Sequence, residues 1–269
     1  MTVDEIRFAI FLGIFILMLA LESLVPRHPR VDSKPRRLGI NLSLTCLDIL
    51  TVKVVFQGMV AVGVAQFAQE QGWCLLNYLD FPAGVELMIT VIFLDLMIYL
   101  QHVLVHMVPF FWRFHAVHHS DRDLDVSSGL RFHPVEIVGS MLYKMGIVLA
   151  LGPSPFAVMV FEAVLNGMAQ FSHSNIKLPL PLDKALRSVL VTPDMHRIHH
   201  SVEVDETNSN YGFNLSVWDR LLGTYLQNGS KTQPEIVIGL NAYPKNEDVS
   251  FFKLLLMPMR YTPNSPTAE

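Results

Sequence analysis

The sequence predicts an all-α, multi-span integral membrane protein with a cytoplasmic, histidine-rich cap able to hold two metal ions. Three observations predict it. Of 269 residues, 51% are hydrophobic and 16% charged, and apolar runs long enough to cross a bilayer recur along the chain. Two short stretches, Gln101–Asp125 and Pro193–Val202, hold eight of the eleven histidines. Their spacings are HxxxH, HxxHH and HxxHH, and steps of three and four place side chains on one face of a helix.

The chain divides into three parts: residues 1–92 with the first spans and a basic loop, 93–228 with the histidines, and a tail at 229–269. Ile6–Leu24 is an apolar run of 19 residues, about 28 Å as a helix, interrupted late by Glu22. A cleaved leader would need a basic start and a small-residue cleavage site; Asp4, Glu5 and Arg7 supply neither. Arg27, Arg30, Lys34, Arg36 and Arg37 follow in a proline-rich loop and mark the cytoplasmic side. Leu38–Phe67 reads as a second span. Residues 68–86 lack Lys and Arg and belong outside, with Trp73, Tyr78 and Phe81 as interfacial anchors.

The third span, Leu87–His106, returns to the cytoplasm and delivers His102 and His106 at its inner end. Asp95 lies seven residues before His102 on the same face, either a functional carboxylate or a helix-packing one. Ile137–Leu151 and Phe156–Phe171 form a helical hairpin hinged at Gly152-Pro153-Ser154-Pro155, where proline ends helices. The tail is amphipathic at Phe251–Leu256 and reads as disordered at Thr262–Glu269. Its short ends fit a bacterial inner-membrane protein. With the amino terminus outside, every histidine cluster falls on one side.

Neutral imidazole is the commonest metal-ligating side chain. With His28 set aside as a surface residue, ten remain: His102, His106, His115, His118, His119, His133, His173, His196, His199 and His200. One ion takes at most about six ligands, so ten suit two ions, and imidazole alone does not select the metal. Cys46 and Cys74 are the only cysteines and imply neither a thiolate site nor a disulfide framework. An all-nitrogen two-metal site beside lipid points to oxygen chemistry on an apolar substrate. The net charge of −4 gives no sign of a nucleic-acid partner.

Taken together, the three clusters in order, RFHPVE around His133, QFSHS at Gln170–Ser174 and the NYGF…WDRLLGTY ending resemble the membrane-bound fatty acid hydroxylase family, also called the sterol desaturase family. The likeness runs from about Asp95 to Tyr225. It implies a non-haem centre of two iron ions, O2 as co-substrate, and hydroxylation or desaturation of a membrane lipid. It also implies a separate electron donor of the cytochrome b5, ferredoxin or flavin-reductase type. The clusters match the family's metal ligands, His133 a histidine before proline, and His173 the third-box position. This chain departs from the family there, with Gln170 and Ser174 flanking His173.

Asp95, Asp121, Asp123, Asp125, Gln170, Asp194, Asn210 and Asp219 are candidates to support the histidines, most by accepting an outward ring N–H. Trp218 and Tyr225 read as packing residues. Arg113, Arg122 and Arg131 read either as headgroup contacts or as topology residues. Two other classes remain in view. A membrane haem carrier needs isolated histidines facing across spans. A non-catalytic metal binder or transporter needs a polar path, for which Asp48, Lys53, Asp95, Lys144 and Glu162 are the candidates.

Overall fold

The computed structural model describes residues 3–72, 74–79 and 81–260. Trp73 and the end at Thr262–Glu269 lie outside the described residues. The regular elements among the described residues are all helices, with only isolated β-bridges besides. Four stretches are long and apolar enough to cross a bilayer: Glu5–Leu24, Lys34–Gln71, Ala83–Met107 and Pro134–Leu151.

Helix α1 (Val3–Leu24) leads through the basic loop to α2 (Lys34–Phe56), which has proline in its first turn. The second span is not one helix, as Leu38–Phe67 had implied. Gln57 turns left-handed at φ 50 and Gly58 follows at φ 90, so the chain breaks before α3 (Ala61–Gln71). The short α4 (Leu75–Leu79) and the long α5 (Ala83–Met107) follow, with Tyr78 and Phe81 exposed between and beside them. One extended residue, Val108, separates α5 from α6 (Pro109–His119), and Pro109 opens the new helix.

At Gly152-Pro153-Ser154-Pro155 the chain turns between two helices. Helix α7 (Pro134–Leu151) stops at Gly152, left-handed at φ 68, where a Cβ would meet Cys74. Ser154 then caps α8 (Pro155–His173) by accepting the N–H of Ala157. The shorter helices are α9 (Leu180–Arg187), α10 (Pro193–His199), α11 (Val204–Thr207) and α12 (Val217–Leu222), and α13 (Phe251–Arg260) closes the described chain.

Of the four apolar clusters among the described residues, two set the position of the histidine helices. Ala65 of α3, Leu94 and Ile98 of α5, Val148 of α7, and Val158 and Phe161 of α8 bury one another within the spans. Below them, Leu254 and Met257 of α13 pack on Leu44 of α2 and on Ala116 and Val117 of α6. The second core fixes the back of α6, so the histidine face of that helix turns inward.

Candidate metal centre

The inner end of α5 supplies His102 and His106, α6 supplies His115, His118 and His119, and α8 ends on His173. Thr192 caps α10 by accepting the N–H of Met195, which orients His196, His199 and the C-cap residue His200. These nine histidines form two groups. His102, His106, His115, His119 and His199 make one; His118, His173, His196 and His200 make the other; nitrogens within each lie within 4.8 Å of one another. In both HxxHH motifs the outer pair joins one group and the middle histidine joins the other.

Hydrogen bonding shows which nitrogen faces inward. Nδ1 of His102 bonds the carbonyl of Tyr211 at 2.7 Å, and Nδ1 of His199 that of Ser209 at 2.7 Å. Nδ1 of His173 bonds the carbonyl of Ala169 at 2.7 Å, and Nδ1 of His118 that of Arg131 at 3.2 Å. A carbonyl only accepts, so each Nδ1 carries the hydrogen and each Nε2 of a neutral ring is a bare lone pair. Yet Nε2 of His102 lies 3.1 Å from Nε2 of His199, and Nε2 of His118 lies 3.1 Å from Nε2 of His173. Two buried lone pairs at that distance repel unless a cation binds both. Neighbouring ligands on an ion with bonds of about 2.1 Å stand about 3.0 Å apart, so the residues fit a metal in each group.

Charge state agrees. Burial, followed by the other histidines, holds His118, His119, His196 and His200 well below the ordinary imidazole range, and burial brings His199 to about 3. All five are neutral at pH 7, the form that binds metal. Both nitrogens of buried His119, and Nε2 of buried His115, have no hydrogen-bonding partner among the described residues. Glu136 bonds Nδ1 of His115 at 2.6 Å and so aims Nε2 at the five-histidine group.

His133 stands outside both groups. Its Nδ1 accepts the N–H of Val135 at 3.1 Å, capping α7, and its Nε2 faces the carbonyl of Leu255 at 3.3 Å. Histidine before proline at a helix start is a cap, and its ring is already engaged.

Support for the ring N–H groups also differs from expectation. Backbone carbonyls and Glu136 take that place, while the proposed residues act a step further out. Asp95 accepts from Trp218 Nε1 at 2.8 Å and from the backbone of Asn214 and Leu215. Asp219 accepts the N–H of Tyr211 and Gly212, steadying the strip whose carbonyl holds His102. Asn210, left-handed at φ 52, ties Met195 to Leu226. Asp123 accepts the backbone of Val31 and Asp32, and Asp194 takes both arms of Arg27. Gln170 is fully buried, and neither side-chain polar atom is bonded among the described residues.

The basic loop is part of the frame. Buried Arg37 forks onto Asp121 and reaches Asp125 at 2.6 Å, and Arg30 also bonds Asp125. Arg131 is fully buried and donates to Val117, Asn41 and Ser120, so it is a bracket for α6 rather than a headgroup contact or topology residue. Burial alone would raise the Asp121 and Asp125 carboxyls, but Arg37, joined by Arg131 and Ser128 at Asp121 and by Ser127 at Asp125, outweighs it and holds both below the usual range.

A family model described as fatty acid hydroxylase matches residues 87–224, half of the chain. The chain belongs to the fatty acid hydroxylase family. Among curated relatives, ornithine lipid hydroxylase of Rhizobium tropici is 33% identical over 148 residues, covering 54% of this chain and 43% of that protein. Alkylglycerol monooxygenase of Xenopus tropicalis is 27% identical over 234 residues, 85% of this chain and 50% of that protein. Cholesterol 25-hydroxylase of Homo sapiens is 26% identical over 133 residues, 48% of this chain and 47% of that protein. The chain spans about half the length of these relatives. No solved structure matches it significantly.

In this member of the fatty acid hydroxylase family, an integral membrane protein by its spans, a cavity of about 190 Å³ reaches the five-histidine group. His102, His115 and Phe213 line it beside Ser140 and Met141 of α7. A second cavity of about 370 Å³ shares Gln101, Val105, Glu136 and Ser140 with it and is walled by Phe110, Phe111, Phe114 and Leu142. Phe110, Phe111 and Leu142 are also exposed on the outer surface of the helices, so an apolar route leads from that surface toward the histidines.

Proposed function

We propose that this chain hydroxylates or desaturates a membrane lipid, using O2 and electrons from a separate donor. The observation that carries the reading is the apolar route between α5, α6 and α7 that ends on His102 and His115. A bilayer lipid can enter it sideways without crossing water. For hydroxylation the balance is substrate C–H, O2, two electrons and two protons giving C–OH and water.

Two irons, one bound by His102, His106, His115, His119 and His199 and the other by His118, His173, His196 and His200, would supply O2 activation. The protein's own work is positional. Backbone carbonyls and Glu136 fix the imidazoles before metal arrives, which lowers reorganisation. The apolar walls exclude water from the site, and the route presents one stretch of an acyl chain or ring system to the five-histidine group. The clusters belong on the cytoplasmic side of a bacterial inner membrane, where a cytochrome b5, ferredoxin or flavin-reductase donor can reach them. Three of the five charges that a transport path would use are engaged elsewhere: Lys144 pairs with Glu162 at 2.7 Å, and Asp95 holds Trp218.

Iron-loaded protein, given a reductase system and total bacterial lipid extract, is expected to yield a lipid heavier by one oxygen, or lighter by two hydrogens, in mass spectra. O2 uptake unaffected by any lipid class, with no mass change, would overturn the reading.

A further inference from the structure

A third, polar cavity of about 400 Å³ lies beside α9 and α12, and none of the nine histidines lines it. Four cations, Arg27, Lys184, Arg187 and Arg220, face it against two carboxylates, Asp183 and Asp194. Both carboxylates are already paired: Asp194 with Arg27 at 2.8 Å and Asp183 with Arg187 at 2.7 Å. Lys184 and Arg220 make no ion pair among the described residues. Arg220 lies over the ring of Tyr225, 3.7 Å from its centre, and donates to the carbonyl of Arg187. The cavity therefore carries two surplus positive charges.

The helices beside it are apolar on the outside. Leu180 and Leu182 of α9 are 63% and 46% exposed, and Leu221 and Leu222 of α12 are 68% and 53% exposed. A water-facing surface gains nothing from four such leucines. Depth explains them. Asp95 accepts from Leu215 N–H and Trp218 Nε1–H, tying the start of α12 to α5. Helix α5 is the Ala83–Met107 span, so the start of α12 is tied to a helix that crosses the bilayer.

We infer that α9 and α12 rest in the membrane interface and that the cavity seats the phosphate of an anionic phospholipid. Lys184 and Arg220 hold the phosphate, while the leucines contact its acyl chains. The site is separate from the lipid route to the histidines and stands whether or not the proposed reaction is correct. Its effect is to set the depth and tilt of the histidine cap over the bilayer.

The test is native mass spectrometry of the purified full chain in neutral detergent, titrated with phosphatidylglycerol and phosphatidylcholine at equal concentration. The intact chain is expected to retain phosphatidylglycerol about tenfold better. Lys184→Gln/Arg220→Gln should bring the two lipids to parity. Leu221→Gln/Leu222→Gln should weaken retention of both lipids. Should the double charge variant fail to fold, the exposed Lys184→Gln single variant keeps the test readable through a partial loss of preference. Equal retention of the two lipids by the intact chain, or an unchanged preference in the charge variants, would overturn the site. Displacement of phosphatidylglycerol by millimolar inorganic phosphate, with no effect of the leucine variant, would reassign it to a free anion and overturn the lipid assignment.

Discussion

Nε2 of His102 faces Nε2 of His199 across 3.1 Å, although each ring has already given its hydrogen to a carbonyl. The contact is stable only around a cation, and it joins the end of a span to a helix nearly a hundred residues later. Metal binding and folding of the cap are therefore linked. Removal of metal by chelator is expected to lower the melting temperature and to open the segment from Pro193 to Tyr211 to hydrogen exchange. Unchanged exchange in the metal-free protein would contradict the link.

Among the described residues, Glu136 is the one carboxylate that bonds a histidine of either group, and it does so from the first turn of α7. Glu136→Gln keeps the shape and removes the charge. Affinity at the five-histidine group should fall about 10–100-fold, with the four-histidine group retained. Chelator titration followed by metal analysis reads both.

His133 makes the opposite case. Its ring caps α7 and touches neither group. His133→Ala is expected to keep the full metal content and to cost about 1 kcal/mol of stability as a lost cap. Loss of metal in that variant would restore the ligand role that its place in the sequence had suggested.

Arg37 sits between Asp121 and Asp125 with almost no exposure. Arg37→Met leaves two buried carboxylates without their main partner and should cost about 3–5 kcal/mol. The same pairing sets a pH dependence. Folded Asp125 has a lower pKa than the unfolded chain, so the unfolded state takes up protons first as pH falls. Its stabilisation is complete above about pH 5 and is lost progressively below that. Melting curves of intact protein should show this acid loss, and Arg37→Met should flatten it.

Ser140 lines both apolar cavities where they meet. Ser140→Phe should block the route, leaving metal content intact while lipid-dependent O2 uptake drops at least about tenfold. Normal turnover with a blocked route would move the entrance elsewhere.

Much of this was legible in the chain. Steps of three and four residues grouped the histidines, and Gly152-Pro153-Ser154-Pro155 located the hairpin turn because its φ requirements are local. The division of each HxxHH between two groups was not legible. It depends on how α6, α8 and α10 cross, and nothing within seven residues specifies that. Gly58 was read through because the residues on both sides are apolar enough to continue a span. Arg37 looked like a topology residue, since Lys and Arg after a span carry the same composition whether they face water or an internal carboxylate. His133 is the complementary case: a histidine before proline reads alike as a cap and as a ligand. The carbonyls of Tyr211, Ser209 and Ala169 leave no side-chain signal at all.

The most direct test of two separate metal sites uses neighbours in sequence. Iron-57-loaded protein and its His118→Ala and His119→Ala variants would be compared by metal analysis and Mössbauer spectroscopy. The proposed sites predict two irons per chain in two resolved environments. They also predict that His118→Ala perturbs or removes one signal and His119→Ala the other, although the residues are adjacent. A single iron per chain, or the same signal altered in both variants, would contradict it.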